Sequence, residues 1–481
     1  MMESFGFLAF GFYFFLVFSR MPELIALRFG HSFYQIFISS VLCMVMMVVN
    51  GGLSRVVGSK MSILLIVLHV WYVASFPFSY WRTGTLEALS AIMKVLPLAF
   101  FAMALVRTEK QLRSTFTIMR AAMLVTLIFT MTAPVSENSD NRLQLDGGRF
   151  ANSNEIAVYL LLGLPFWLHM ATTKRFPMVL RILAGLEIGI SIFQCLRTGS
   201  RGGLITILLL SVVLLLASSA INRLKVIALG IAVVLIAVPL LPSEVRGRLY
   251  SLTGETHDGG AEGSSESRLA LLMESLKVAA RHPLFGVGVG VYASAAAEIS
   301  SQSGKRKLWQ VSHNAYAQVA AEAGLPALFC FLGTLVLAVR SLWRGRSIAR
   351  RFPEMEELAT MADCILLTAF VYIVNAFFGN IAQELFYYLV CGLAFCCVVA
   401  LEARYSALER AQTENVRRAA EAASTVAGTT PISSSPMPRP LDPLKPTSGN
   451  KPQEPVIGRP KPVAPETLYG DVPWARNPNR S

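Results

Sequence analysis

The chain is short of charge. Of its 481 residues only 15% are Asp, Glu, Lys or Arg, while 54% are hydrophobic and the mean hydropathy is +0.52. A soluble globule needs more charge than this to cover its surface, so the composition excludes an ordinary water-soluble enzyme and indicates a polytopic membrane protein. Acids are scarcer than bases, 30 against 43, which gives a net charge of +13. The bases are scattered over short connections and form no stripe, which argues against nucleic acid as a partner and for basic loops facing anionic lipid. Metal-ligand spacing is missing: there is no Asp-x-Asp pair, no His-x-x-x-His and no cysteine cluster. No nucleophile elbow is present, which excludes a serine hydrolase of that type. No internal repeat is visible, which weighs against transporters built from duplicated halves. The apolar start carries Glu3 where a secretory signal carries positive charge, so it is expected to remain as a first span. The seven cysteines, Cys43, Cys195, Cys330, Cys364, Cys391, Cys396 and Cys397, all fall in apolar stretches. They are expected to be buried thiols acting as small hydrophobes.

What the chain has in abundance is long apolar runs. Crossing a hydrocarbon core of about 30 Å takes roughly 20 such residues. By that measure the sequence predicts an all-α protein with about 12 transmembrane helices, at 4–18, 33–49, 61–79, 88–106, 114–132, 155–171, 178–196, 202–218, 224–241, 314–339, 359–377 and 383–402. With the N-terminus in the cytoplasm, alternate loops collect Arg55 and Lys60; Arg107, Lys110 and Arg113; Lys174, Arg175 and Arg181; Arg223 and Lys225; and Arg340, Arg344, Arg346, Arg350 and Arg351. That bias predicts both termini inside. It places one large loop, 242–313, outside, together with the 133–154 loop and the turn around Thr198–Arg201.

The expected domains are a transmembrane unit over 1–402 and a cytoplasmic helix with a disordered Pro/Ser-rich tail over 403–481. Within the tail, Arg404–Glu421 reads as a short charged helix, and 424–481 lacks the apolar surface to fold alone. In the large loop, residues 242–266 are polar and rich in Gly and Ser, and are expected to be mobile. Leu269, Leu272, Met273, Leu276, Ala279 and Ala280 follow helical spacing, with Ser267 as an expected cap and Pro283 as the stop. Such a helix should lie on the membrane surface. The glycines Gly286, Gly288 and Gly290 come next, either as a tight turn or as backbone that approaches an anion.

Several polar residues in these outer segments can carry chemistry. Arg201, in Thr198-Gly199-Ser200-Arg201-Gly202-Gly203, is either an interfacial arginine with a buried stem or an anion clamp, since a planar guanidinium suits phosphate and two glycines leave room for a headgroup. Arg149 enters the sixth span on the same face, in a stretch where Asn152 or Asn154 can cap the helix. His313 stands where the loop re-enters the membrane, between Ser312 and Asn314. Histidine titrates near neutrality, and neighbouring arginines would keep it a neutral base. His282 precedes Pro283 and is expected to end the surface helix.

Taken in order, Asn152-Ser153-Asn154, Thr198-Gly199-Ser200-Arg201-Gly202, Arg268 opening a helix into His282-Pro283-Leu284-Phe285-Gly286-Val287-Gly288, and Ser312-His313-Asn314 leading to Glu322-Ala323-Gly324-Leu325-Pro326 resemble the O-antigen ligase and polymerase superfamily. The resemblance covers about residues 147–340. It implies a multi-span helical protein of the bacterial inner membrane, with one large periplasmic loop. It implies transfer of a glycan from undecaprenyl diphosphate to an acceptor hydroxyl, with no cofactor and no metal. The acceptor is lipid A core or a similar glycolipid in ligases and another lipid-linked repeat unit in polymerases. By analogy Arg201 and Arg268 grip the diphosphate, with Arg149 as a helper, and His313 activates the hydroxyl. Ser200, Asn154, Asn314 and His282 support them. A polysaccharide transporter is the rival reading. It would place ionisable residues at mid-membrane depth, where the chain offers Lys94, Glu187, Asp363 and Glu384.

Overall fold

A computed structural model describes residues 2–29, 34–132, 142–145, 150, 152–217, 224, 227–228, 230–231, 235–236, 238–250, 259–302 and 310–428. Its elements are helices: α1 (Met2–Ser19), α2 (Met21–Phe29), α3 (Gln35–Val49), α4 (Gly52–Val57), α5 (Lys60–Ala74), α6 (Arg82–Val95), α7 (Pro97–Leu105), α8 (Glu109–Thr132), α9 (Ser153–Thr172), α10 (Met178–Arg197), α11 (Arg201–Ala217), α12 (Ser243–Tyr250), α13 (Gly259–Arg281), α14 (Tyr292–Gln302), α15 (Ala315–Ala349), α16 (Glu356–Ala376) and α17 (Leu385–Gly428). No strand occurs among the described residues. Nine helical stretches among them are long and apolar enough to cross a membrane, and α3 and α11 are shorter apolar helices. The chain is thus an all-α polytopic membrane protein. The expected span at 224–241 is described only in part.

Hydrophobicity explains which helices are central. From Leu385 to Leu401, α17 is apolar around its whole circumference and buried except at Val399, as an all-round hydrophobic helix must be when neighbours surround it. It packs against α7, α15 and α16. The second buried helix, α9, packs on α10 and α16. By contrast α10 turns Val179, Ile182, Leu183 and Leu186 outward, which suits a helix whose outer surface faces lipid chains. Pro97 begins α7 where α6 ends, because proline brings no N–H to continue the α6 hydrogen-bond ladder.

Two sequence boundaries move. The helix carrying Arg268 begins at Gly259, so Ser267 lies inside it and does not cap it. The segment expected to be polar and irregular therefore holds α12 and the start of α13, while 251–258 lies outside the described residues. The charged helix expected at Arg404–Glu421 is the uninterrupted continuation of the last span. Exposed pairs such as Arg418 with Glu414, at 3.1 Å, support it along its length. The tail beyond Gly428 lies outside the described residues.

One slot fixes the outer loop to the bundle. At Gly324 the backbone leaves the helical region (φ +81°, ψ 178°), so α15 is two helices joined by a kink. The carbonyls freed there take donors from the loop. Val287 N–H donates to Ala321 O and Gly288 N–H to Glu322 O, both at 2.9 Å, and Leu325 N–H donates back to Pro283 O at 2.7 Å. Trp71 Nε1 on α5 donates to Ala323 O at 3.0 Å and to Leu284 O at 3.2 Å. Phe285 is stacked between Trp71 and Phe78, with ring centroids 5.1 and 4.2 Å away. A Cβ at Gly324 would stand 2.0 Å from Leu284 O, and one at Gly286 2.3 Å from the Glu322 carbonyl carbon. Both positions have positive φ, so glycine is required there for conformation and for space. The Gly286–Gly290 stretch is accordingly a docking turn whose amides are used by protein carbonyls.

Candidate functional site

Helix ends gather on the face that carries the loop. Asn152 caps α9 there, its side-chain oxygen accepting from Asn154 N–H at 2.9 Å. In the α10–α11 turn, Thr198 Oγ1 donates to Cys195 O at 2.5 Å and accepts from Ser200 N–H at 3.2 Å. Gly199 takes positive φ, and Ser200 Oγ accepts from Gly203 N–H at 3.2 Å. Ser200 therefore starts α11 and delivers Arg201 as its first residue, half-buried, at the positive end of the helix dipole. The two following glycines have a packing reason: a Cβ on Gly202 would meet Phe378 at 2.8 Å, and one on Gly203 would meet Cys195 and Ala157 at 3.1 and 3.2 Å.

His313 is built into the start of α15. It takes φ +51°, a left-handed conformation that costs a non-glycine residue roughly 1–2 kcal/mol and that Asn, Asp and His tolerate best. Its neighbours hold it there. Ser312 Oγ lies 3.1 Å from Ser275 Oγ on α13, and also donates to Asn314 O at 3.2 Å. Asn314 caps α15 through Ala317 N–H at 2.9 Å, while its Nδ2 donates to Phe377 O at 3.4 Å. Phe377 and Phe378, at the end of α16, thus touch the His313 turn on one side and the Arg201 helix on the other.

Electrostatics complete the triangle. Burial lowers the Arg268 pKa from its ordinary value, and the nearby charge of Arg201 lowers it further. Burial likewise holds the His313 imidazole below its ordinary value, and the charge of Arg268 adds to that. Like charges act this way only at close range in a site of reduced dielectric. Arg268 therefore lies near Arg201 and near His313, residues far apart in the chain, and all three are half-buried. Both effects disfavour the protonated imidazole.

Other expected residues stand as follows. Arg149 lies outside the described residues. Asn154 is the second residue of α9, and its backbone N–H meets the Asn152 cap. His282 packs edge-to-face on Tyr80, with Nε2 3.4 Å from its hydroxyl, at the far end of α13 from Arg268. Sequence reading passed over Arg142. Its Nε donates to Thr198 O at 2.8 Å and its side chain covers Gly199, so a further cation braces the turn that presents Arg201. The available signal was a basic residue in a loop already assigned to the same face. Among the described residues, no three His, Cys, Asp or Glu side chains gather where they could hold a metal ion.

Residues 186–332 match the family model described as O-antigen ligase. The chain carries an O-antigen ligase domain. That domain runs from within α10, through Arg201, α13 and His313, to just past the Gly324 kink, so it spans the candidate site and the slot that holds the loop. The family consists of membrane glycosyltransferase-like ligases and polymerases that act on lipid-linked glycans and glycan acceptors. No curated protein matches the chain.

Proposed function

We propose that this O-antigen ligase domain transfers a glycan from a polyprenyl diphosphate, of the undecaprenyl type, to an acceptor hydroxyl. The observation that supports the reading is that Arg268 lies within electrostatic reach of Arg201 and of His313, beside the turns that the geometry of Phe377 and Phe378 joins. Arg201 and Arg268 bind the diphosphate and stabilise the charge that grows on it as it leaves. His313 takes the acceptor proton. The acceptor oxygen forms its bond to the anomeric carbon as the bond from that carbon to the phosphate oxygen breaks, so a single displacement inverts the centre. Preorganised cations aimed at a developing anion are the strongest catalytic device such a site has. One well-placed base adds about 10²–10⁴-fold. Arg142 steadies the turn beneath the donor site, and Arg149 is placed by sequence on the same side.

The loop face is the periplasmic side of the inner membrane in this reading, with both termini in the cytoplasm. The basic character of the opposite loops supports it. Asp363, one of the ionisable residues a transport pathway could use, is paired with Arg346 and with Arg350, the latter at 2.8 Å. The acceptor we favour is lipid A core or a similar glycolipid. Purified protein in proteoliposomes, given lipid-linked glycan and offered lipid A core or a second lipid-linked repeat unit, tests the assignment. Ligation to core is expected. Chain extension alone would assign the polymerase reaction, and movement of glycan lipid across the bilayer with no new glycosidic bond would refute transfer.

A further inference from the structure

Glu322 is a carboxylate on α15, 2% exposed, two residues before the kink. It accepts from Gln318 Nε2 at 3.3 Å and Gln383 Nε2 at 3.0 Å, and from the backbone N–H groups of Gly290 and Tyr292. None of these partners is a candidate site residue. The four donors come from three places: the first half of α15, the segment just before α17, and the turn between α13 and α14. A carboxylate has two oxygens and no donor, so it can satisfy all four, whereas an amide would turn its own NH2 toward one of them. Buried as it is, the group depends on those donors to replace its water.

The turn it holds is continuous with α13. His282 N–H donates to Val278 O and Gly286 N–H to His282 O, at 3.0 and 3.1 Å, so two backbone bonds tie the end of α13 to the slot. Seven residues after Arg268, Ser275 lies on the same face of α13 and meets Ser312, the residue before His313. The position of Arg268 relative to His313 is therefore set at Ser275 and at the slot.

We propose that Glu322 is a positioning residue for the transfer reaction. Its carboxylate fastens the Gly286–Tyr292 turn into the α15 kink, and through α13 this sets Arg268 against His313. The inference rests on the functional reading above for its consequence and on the hydrogen bonds alone for its geometry.

A disulfide placed across the α13–α15 contact tests it. In the full-length protein, Ser275→Cys with Ser312→Cys puts two thiols where hydroxyls lie 3.1 Å apart. Oxidation without substrate should close that disulfide quickly in the otherwise wild-type chain and at least tenfold more slowly with Glu322→Gln. Gln383→Leu, which removes one donor and leaves the carboxylate, is a milder variant and should slow closure by a smaller factor. An unchanged closure rate in both variants would overturn the proposal. Glycan transfer should fall at least tenfold when Glu322→Gln is added to the Ser275→Cys/Ser312→Cys parent, recover to more than half of the oxidised parent's rate once the disulfide is closed, and fall again on reduction. Gly163→Val, which crowds Met123 within the bundle away from this contact, serves as a stability control. Equal rescue of both variants would mean general stabilisation and would also overturn it. Closure is read without substrate, so a wild-type protein that failed to transfer glycan would refute the functional reading while the latch is judged by closure alone.

Discussion

At the residue scale, His313 has the most to do and the least freedom. Its left-handed backbone is imposed by Ser312 and Asn314, and protonation of its imidazole is disfavoured by burial and by Arg268. A lowered pKa favours the unprotonated base, so transfer should hold a plateau at neutral pH and decline only as pH falls through a value below about 6.5. Arg268→Gln removes the like charge, and the same acid limb should then move to higher pH. A profile of rate against pH for both proteins measures this, and an acid limb unmoved in the variant would show that the two charges do not interact. His313→Asn keeps a residue that accepts the left-handed backbone but removes the base. It should lower transfer by about 10²–10⁴-fold while the protein still assembles. Arg201, Arg268 and His313 stood out in the sequence as candidates, because they are cations and a histidine in outer loops of an apolar chain and fall in the motifs that carry the resemblance. Arg142 did not. Its importance arises from a contact with Thr198, 56 positions away.

At the scale of elements, the slot at the α15 kink is the joint between scaffold and site. Gly324→Ala would place a methyl against the Leu284 carbonyl in a backbone region nearly closed to other residues. It should cost several kcal/mol, or prevent folding, as read by the melting temperature of the detergent-solubilised protein. Gly185→Ala and Gly189→Ala, on α10, meet nothing within 4 Å and should be neutral or stabilising by about 0.5–1 kcal/mol. The Asn152 cap and the Pro283 stop follow from local chemistry and are readable along the chain. The slot is different. Its donors and acceptors come from α5, α15 and the loop, and a repeated Gly-x-Gly carries no mark saying whether its amides will meet a phosphate or a neighbouring carbonyl. The early start of α13 at Gly259 was missed for a related reason, since Gly and Ser are poor helix formers unless tertiary contacts hold them.

At the scale of the molecule, a bundle centred on α9 and α17 brings helix ends to one face, and the O-antigen ligase domain occupies the part of the chain that furnishes that face. Hydropathy alone made the all-α polytopic architecture readable, because a bilayer permits few alternatives. The convergence of three distant side chains was not readable from spacing, which orders residues along a chain and says nothing of which loops meet. In the proposed reaction two arginines supply the positive charge the leaving diphosphate needs, so transfer should persist in EDTA, and loss of activity restored by a divalent cation would contradict that proposal. The most direct measurement is glycan transfer by reconstituted wild-type protein beside Arg201→Ala, Arg268→Ala and His313→Ala, each verified as folded and membrane-inserted. The three variants should each lose at least 100-fold, the low end of the range for one base, while inserting normally. Wild-type rates in the His313→Ala protein, or in both arginine variants, would contradict the site.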